Sequence, residues 1–210
     1  MARHLKRGMD AGDDPVPAMT EAPPPPEPTL ELRSIDWLLD QSFWIPSYQR
    51  GYRWSPRQVT ELLDDLNQFR LAEEAIKADR TGGPRVTAPR PRFYCLQPVV
   101  VLPRNRDACG RWTWELIDGQ QRLTTLRLIL QFLASQHLQV RAIYGLTCET
   151  RQPAYLHAGD PARRWDDPDS HYLYAADQAI GDWFRRHPTA AHPISRLLLD
   201  PASDDFNTRV

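Results

Sequence analysis

Residues 118–122, with the sequence DGQQR, carry the strongest chemical signal in the chain. Gly119 has no side chain, so a ligand can approach the backbone N–H groups closely there. Arg122 offers a planar, permanently charged fork that suits a phosphate or a carboxylate. Gln120 and Gln121 can donate and accept hydrogen bonds or orient a water molecule. These residue types together predict a phosphate site.

Asp118 is the exception, because a carboxylate repels a bare phosphate. It therefore caps the following helix, holds Arg122, or carries a metal ion. A structural alternative needs no ligand: Asp118 is then only an N-cap, and Arg122 only forms a salt bridge. Since few helix N-termini bind ligands, the residues alone leave both interpretations open.

Residues 112–133 must position this DGQQR turn. They predict a short strand, an Asp-Gly break, and a helix whose apolar residues recur at spacings of three and four. The first N–H groups of such a helix lack partners within it and carry the positive end of its dipole, so an anion is stabilised there. The apolar stripe consists of Leu123, Leu126, Leu130 and Leu133.

A second group of candidate residues lies in residues 45–54, IPSYQRGYRW. Aromatic rings beside guanidinium groups suit a nucleobase and its phosphates, by stacking and by charge-assisted hydrogen bonds. The alternative is a loop packed on the core, with its arginines solvated. The group consists of Tyr48, Gln49, Arg50, Tyr52, Arg53 and Trp54.

The surrounding elements are predicted from capping and periodicity. Ser55, Pro56 and Gln58 form a capping box that starts a helix. Residues 93–102 and 111–117 are rich in β-branched and aromatic side chains and predict an antiparallel hairpin. Its second strand leads directly into the DGQQR turn. Further amphipathic helices are predicted before residue 41 and over residues 172–184.

Composition excludes several classes of protein. The net charge of −1 over 210 residues gives no overall nucleic-acid signature. There is no apolar run of membrane-spanning length and no signal peptide, so we expect a cytoplasmic location and no membrane partner. The three widely spaced cysteines indicate neither a disulfide framework nor a zinc site.

Two segments differ from the rest in composition. Residues 1–28 are rich in proline and have almost no large apolar residues, so we expect a disordered tail. Residues 80–92 contain arginines and prolines but no acid, which predicts a flexible basic loop. Such a loop either contacts a DNA backbone or is simply solvated. The candidate DNA-binding residues in it are Arg80, Arg85, Arg90 and Arg92.

Three motifs carry a family resemblance. Residues 117–126, IDGQQRLTTL, resemble a signature of the GmrSD-type N-terminal domains of modification-dependent restriction and related bacterial anti-phage proteins. Residues 45–54 and 93–101, FYCLQPVVV, resemble two further motifs of that family, in the family's order and at similar spacing. One departure occurs at Leu96 and Gln97, where many members have a Leu-Gly pair.

The resemblance implies an α+β fold related to ParB and sulfiredoxin, with a small mixed sheet, a central hairpin and packed helices. Residues 29–145 would form the DGQQR nucleotide-binding domain, and residues 146–210 the start of a helical extension. Family members usually continue into a C-terminal His-Asn-His type nuclease module, which nothing in this chain resembles. Either the chain is truncated or its nuclease partner is a separate polypeptide.

The resemblance also implies a nucleoside triphosphate and Mg²⁺ at the DGQQR turn. Arg122 and the helix N–H groups would hold phosphates, Asp118 would act through Mg²⁺ or position Arg122, and Gln120 or Gln121 would orient the attacking water. Because no P-loop is present, this would be a non-Walker triphosphatase. The remaining nucleotide-binding residues would be Tyr48, Gln49, Arg50, Tyr52, Trp54, Gly119 and Thr124.

Three functions therefore compete. The first is a nucleotide-hydrolysing regulatory domain of a DNA-defence system, in which Arg122→Ala abolishes turnover without unfolding the protein. The second is a nucleotide-gated DNA-binding module without appreciable hydrolysis. The third is an inactive fragment that serves protein interaction, which predicts neither activity.

Overall fold

The structure is a computed structural model that describes residues 27–79, 92–138, 140–150, 168–199 and 206–209. Helices and strands alternate irregularly along this part of the chain. In order they are α1 (Ile35–Leu38), β1 (Ser42–Ile45), α2 (Pro56–Asp79), β2 (Arg92–Cys95), β3 (Val100–Arg106), β4 (Trp112–Asp118), α3 (Gln120–Ser135), β5 (Gly145–Cys148), α4 (Pro168–Arg186), α5 (Ala191–Leu199) and β6 (Phe206–Arg209).

A mixed sheet supports the site. Its strand order is β3-β4-β1-β5, in which β4 and β5 run parallel to β1 while β3 is antiparallel to β4. In β1, Phe43 and Ile45 are buried and Ser42 is exposed, as expected for a sheet that packs one face on the core. The predicted α+β class is confirmed. The closer kinship with ParB and sulfiredoxin stays a prediction.

The central hairpin is present, but its first strand is not the predicted one. β3 pairs with β4, whereas residues 92–95 form β2 and pair with β6 in a separate two-stranded sheet. β3 also runs through Pro103, where the sequence predicts the connection. A proline fits because β3 is an edge strand, and because its register shifts between Pro103 and Asn105.

Helix α3 lies at the centre of the core. All four leucines of its predicted stripe are at most 2% exposed. Leu128 and Ile129 on other sides are buried as well, because α4 and α5 also contact α3. Each such side chain stabilises the fold by roughly 1.5–3 kcal/mol. The start of α3 is therefore fixed by packing along the whole helix.

Helices α2 and α4 form as the sequence predicts. The N–H of Ser55 donates to Oε1 of Gln58 at 2.9 Å, which is one half of the predicted capping box. Fully buried Trp183 on α4 donates from Nε1 to Oδ1 of Asp64 on α2 at 2.7 Å. Apolar residues of α4 and α5 belong to the same core cluster as those of α2 and α3.

The sequence does not predict β5 or α5. β5 contains four residues, too few for a periodic signal, and forms by pairing with β1. It begins at Gly145, where the predicted nucleotide-binding domain ends. α5 buries Ile194, Leu197 and Leu198.

Some predictions fall on residues that the structure does not describe. The predicted tail lies outside the described residues except for Glu27 and Pro28. Arg92 begins β2, whereas Arg80, Arg85 and Arg90 lie outside the described residues. No helix in the described ranges is both long enough and apolar enough to cross a membrane.

Candidate functional site at the start of helix α3

A cavity of about 280 Å³ opens where β4 ends and α3 begins. Its volume is near the lower end of the range for small-molecule sites, about 300–1,000 Å³. The loop after β1 and the segment after β2 supply the other walls. The lining residues are Gln49, Arg50, Trp54, Gln97, Asp118, Gly119, Gln120, Gln121 and Arg122. All of them except Gln97 are predicted site residues.

Gly119 shapes the turn between β4 and α3. It is the N-cap of α3, with a left-handed φ of 98°, and it provides no side-chain cap. A Cβ at this position would lie 2.9 Å from Cγ2 of Val99. Glycine fits both the backbone angle and the space. Asp118 is therefore not the N-cap, which removes one of the three roles open to it.

The start of α3 presents backbone donors to the cavity. Its first intrahelical hydrogen bond runs from the N–H of Leu123 to the carbonyl of Gly119 at 2.9 Å. The N–H groups of the three residues between them therefore have no partner within the helix. No acidic residue lies in the first turn. These donors and the helix dipole favour an anion at this end of the cavity.

Arg122 is held from two sides. Its Nη1 donates to Oε1 of Gln97 at 2.8 Å, and its Nη2 lies 3.4 Å from Oδ2 of Asp118. The salt bridge of the structural alternative thus exists, but it is long, and the Asp118 side chain is 71% exposed. Such a pair stabilises a fold by less than about 1 kcal/mol. A phosphate can compete with it for Arg122.

The two glutamines of the turn have different environments. Oε1 of Gln121 accepts from the N–H of Arg53 at 2.7 Å, and its Nε2 donates to the carbonyl of Gly51 at 3.1 Å. Its amide therefore ties α3 to the upstream loop. Gln120 is 7% exposed, and its buried Oε1 has no hydrogen-bond partner among the described residues. Buried polar atoms usually have a partner, so this oxygen is free to accept a hydrogen bond from a group that reaches it.

The loop after β1 brings a second cation to the cavity. Nε2 of Gln49 donates to the carbonyl of Ile117 at 2.7 Å and so fixes the loop on the end of β4. Arg50 is exposed and makes no hydrogen bond or ion pair within the described part of the chain. Trp54 is partly buried and supplies the aromatic surface of the lining.

Three predicted nucleotide-binding residues do not line the cavity. Tyr48 is 68% exposed, and its hydroxyl donates to Glu115 at 3.0 Å. Tyr52 is buried, its hydroxyl lies 2.8 Å from Oγ1 of Thr125, and burial raises its pKa. Thr124 is buried in α3. Both tyrosine hydroxyls therefore bond to other side chains of the protein, and Thr124 is enclosed in the core.

Sequence reasoning missed Gln97 as a lining residue. The one signal that could have found it is the departure from the family's Leu-Gly pair at Leu96 and Gln97. Its contact with Arg122 joins parts of the chain that lie far apart in sequence.

Asp118 is the one carboxylate of the lining. Within the described ranges, no three His, Cys, Asp or Glu residues lie close enough together to hold a metal ion. Mg²⁺ usually binds one or two carboxylates together with substrate phosphates. The single exposed carboxylate of Asp118 is compatible with this mode of Mg²⁺ binding if a phosphate ligand lies beside it.

A comparison with protein-family models matches residues 35–187 to the GmrSD restriction endonuclease N-terminal domain. The chain belongs to this family. The match covers well over half of the chain and every residue that lines the cavity, and it confirms the resemblance carried by the three motifs. Membership associates this GmrSD N-terminal domain with a restriction-like defence system. The comparison with curated proteins gave no match.

Proposed function

We propose that this GmrSD N-terminal domain binds a nucleoside triphosphate in the cavity and hydrolyses it to regulate a restriction-like DNA-defence system. One observation carries the proposal: the cavity is lined by Arg50, Arg122 and the first residues of α3, whose N–H groups have no partner within the helix. The donors and cations suit phosphate oxygens.

The phosphates bind to the first N–H groups of α3 and to Arg122. Arg50, whose guanidinium makes no hydrogen bond or ion pair within the described residues, stabilises the charge that develops in the transition state. Asp118 would hold Mg²⁺ together with phosphate oxygens, and the ion would neutralise part of their charge. Trp54 stacks on the base.

Gln120 orients the attacking water. Its amide oxygen, which is buried and unpartnered among the described residues, accepts a hydrogen bond from that water once the side chain turns into the cavity that Gln120 lines. Gln121 is unsuited to this role because both atoms of its amide already have backbone partners.

The test is phosphate release from the four ribonucleoside triphosphates with Mg²⁺. We expect turnover by the wild type and a loss of at least about 100-fold in kcat/KM for Arg122→Ala. Arg57→Ala is the matched control, because Arg57 lies on the exposed face of α2 and pairs with Glu61. Circular dichroism verifies that both variants are folded. Absence of release by the wild type contradicts hydrolysis.

A nucleotide-gated DNA-binding module is the second candidate. The lining favours it, because Asp118 is its one carboxylate and no histidine, lysine, tyrosine or cysteine among the lining residues can act as a general base. This candidate predicts nucleotide binding and nucleotide-dependent DNA retention without phosphate release. For either function we propose DNA as a partner, together with a His-Asn-His type nuclease module that lies either on a separate polypeptide or in a longer form of this chain.

A further inference from the structure

Gln97 combines an unusual backbone with a position in the cavity wall. Its φ is +74°, a left-handed value that residues with a Cβ rarely adopt. It also precedes Pro98, and a residue before proline normally prefers an extended conformation. Such a backbone persists only where the surrounding structure holds it.

Contacts on both sides hold the segment of residues 96–99. Leu96 is buried, and its carbonyl lies 3.4 Å from Nη1 of Arg122. Val99 packs so closely against the turn that a Cβ on Gly119 would collide with the side chain of Val99. The segment is thus fixed to the core at one end and to the start of α3 at the other. This arrangement directs the side chain of Gln97 to Arg122.

The contact engages the cation that the proposed function assigns to phosphate. Oε1 of Gln97 lies 2.8 Å from Nη1 of Arg122, in a hydrogen bond strengthened by the positive charge. Because the carbonyl of Leu96 lies on the same nitrogen at 3.4 Å, a phosphate oxygen that binds Nη1 competes with the amide for its donor. The amide is neutral, so a charged phosphate oxygen is the stronger acceptor and can displace it.

We infer that Gln97 is a gate of the cavity: its amide competes with an anionic ligand for Arg122 and lowers the affinity for that ligand. The inference rests on the proposed phosphate-binding role of the cavity. In addition to the residues that bind the phosphate, the cavity then contains one residue that weakens this binding. Removal of the amide should therefore tighten binding, which is the opposite of the effect expected for a residue that contacts the ligand.

Isothermal titration with inorganic tripolyphosphate tests the gate. We expect Gln97→Ala to bind it about three- to tenfold more tightly than the wild type, because no hydrogen bond must be broken first. Gln97→Glu should bind it more weakly, because a carboxylate pairs with Arg122 and repels phosphate. The gain should vanish when Arg122→Ala is combined with Gln97→Ala.

Gln97→Gly provides a second comparison if the alanine variant is poorly folded. It also lacks the amide, and glycine adopts the left-handed angle without strain. We therefore expect it to bind tripolyphosphate more tightly than the wild type and to have a higher Tm than Gln97→Ala.

The outcomes separate the gate from the proposed function. Equal or weaker binding by Gln97→Ala and Gln97→Gly, with clear binding by the wild type, overturns the gate alone. If the wild type and both variants fail to bind tripolyphosphate, the proposed phosphate site and the gate are both overturned. Tighter binding that persists without Arg122 also overturns the gate.

Discussion

At the residue scale, the adjacent residues Gln120 and Gln121 have different environments although their side chains are chemically identical. The amide of Gln121 connects two backbone groups of the loop after β1. The amide oxygen of Gln120 is buried without a partner in the described part of the chain. The first therefore stabilises the fold, whereas the second satisfies no donor in the described part of the chain. Their positions in the DGQQR turn do not reveal this difference.

Substitution of each glutamine should test this difference. Gln121→Ala should lower the free energy of unfolding by about 1–3 kcal/mol, because two partly buried backbone groups lose their partners. Gln120→Ala, the matched control, should change it by less than about 1 kcal/mol, because the packing lost with the buried side chain is offset by removal of an unpaired buried oxygen. Urea unfolding measures both. An equal or larger loss in Gln120→Ala would show that its amide has a structural role.

At the element scale, the connection from β4 to α3 determines the geometry of the site. The left-handed Gly119 ends the strand and begins the helix, whose first residues line the cavity. Val99 lies close to Gly119, and this contact sets the distance between the turn and the segment of residues 96–99, which contributes Gln97 to the cavity wall. The shape of the cavity thus depends on Gly119, where β4 meets α3 and Val99 leaves no room for a side chain.

Gly119→Ala should be costly for two reasons. Alanine is strained at a φ of +98°, and its Cβ would collide with Val99. Gly110→Ala is the control, because Gly110 has a φ of +78° but no atom within 4 Å of its added Cβ. We expect a loss of about 1 kcal/mol for Gly110→Ala and at least about 2 kcal/mol for Gly119→Ala, measured by urea unfolding. Equal losses would mean that Val99 moves away freely.

At the scale of the whole molecule, two buried phenols connect α3 to its surroundings. The hydroxyl of Tyr52, in the loop after β1, pairs with Thr125. The hydroxyl of Tyr144, just before β5, donates to the carbonyl of Leu123. Burial raises the pKa of both phenols well above the ordinary value. Both the loop and β5 are therefore linked to α3 through groups that must stay neutral.

The stability of the protein should therefore fall at alkaline pH. In the unfolded chain the two phenols ionise near pH 10, whereas in the folded protein they retain their protons to a higher pH. The unfolded state then binds fewer protons, so the free energy of unfolding decreases as the pH rises above about 10. These groups contribute no pH dependence below that value.

Urea unfolding at about pH 8 and pH 11 measures this decrease, and Tyr52→Phe is the comparison. We expect a smaller decrease in the variant, because one titrating group is gone. If the free energy of unfolding decreases as much in Tyr52→Phe as in the wild type, groups other than Tyr52 cause the effect.

The sequence by itself determined the features that depend on neighbours along the chain. The spacing of the leucines predicted α3, Ser55 and Gln58 predicted the start of α2, and the order of three motifs predicted the family. Periodicity and capping are local, so they can be recognised without the fold. The residue types of the DGQQR turn predict an anion site, which stays a prediction.

Only the tertiary structure decided which partners those residues have. The pairing of β2 with β6, the strand β5, and the contact between Gln97 and Arg122 all join segments that are distant in sequence. The same holds for the difference between Gln120 and Gln121, which depends on the loop that packs beside α3. Hydrogen-bond partners are set by which backbone groups the fold brings within about 3 Å, and no local pattern encodes that distance.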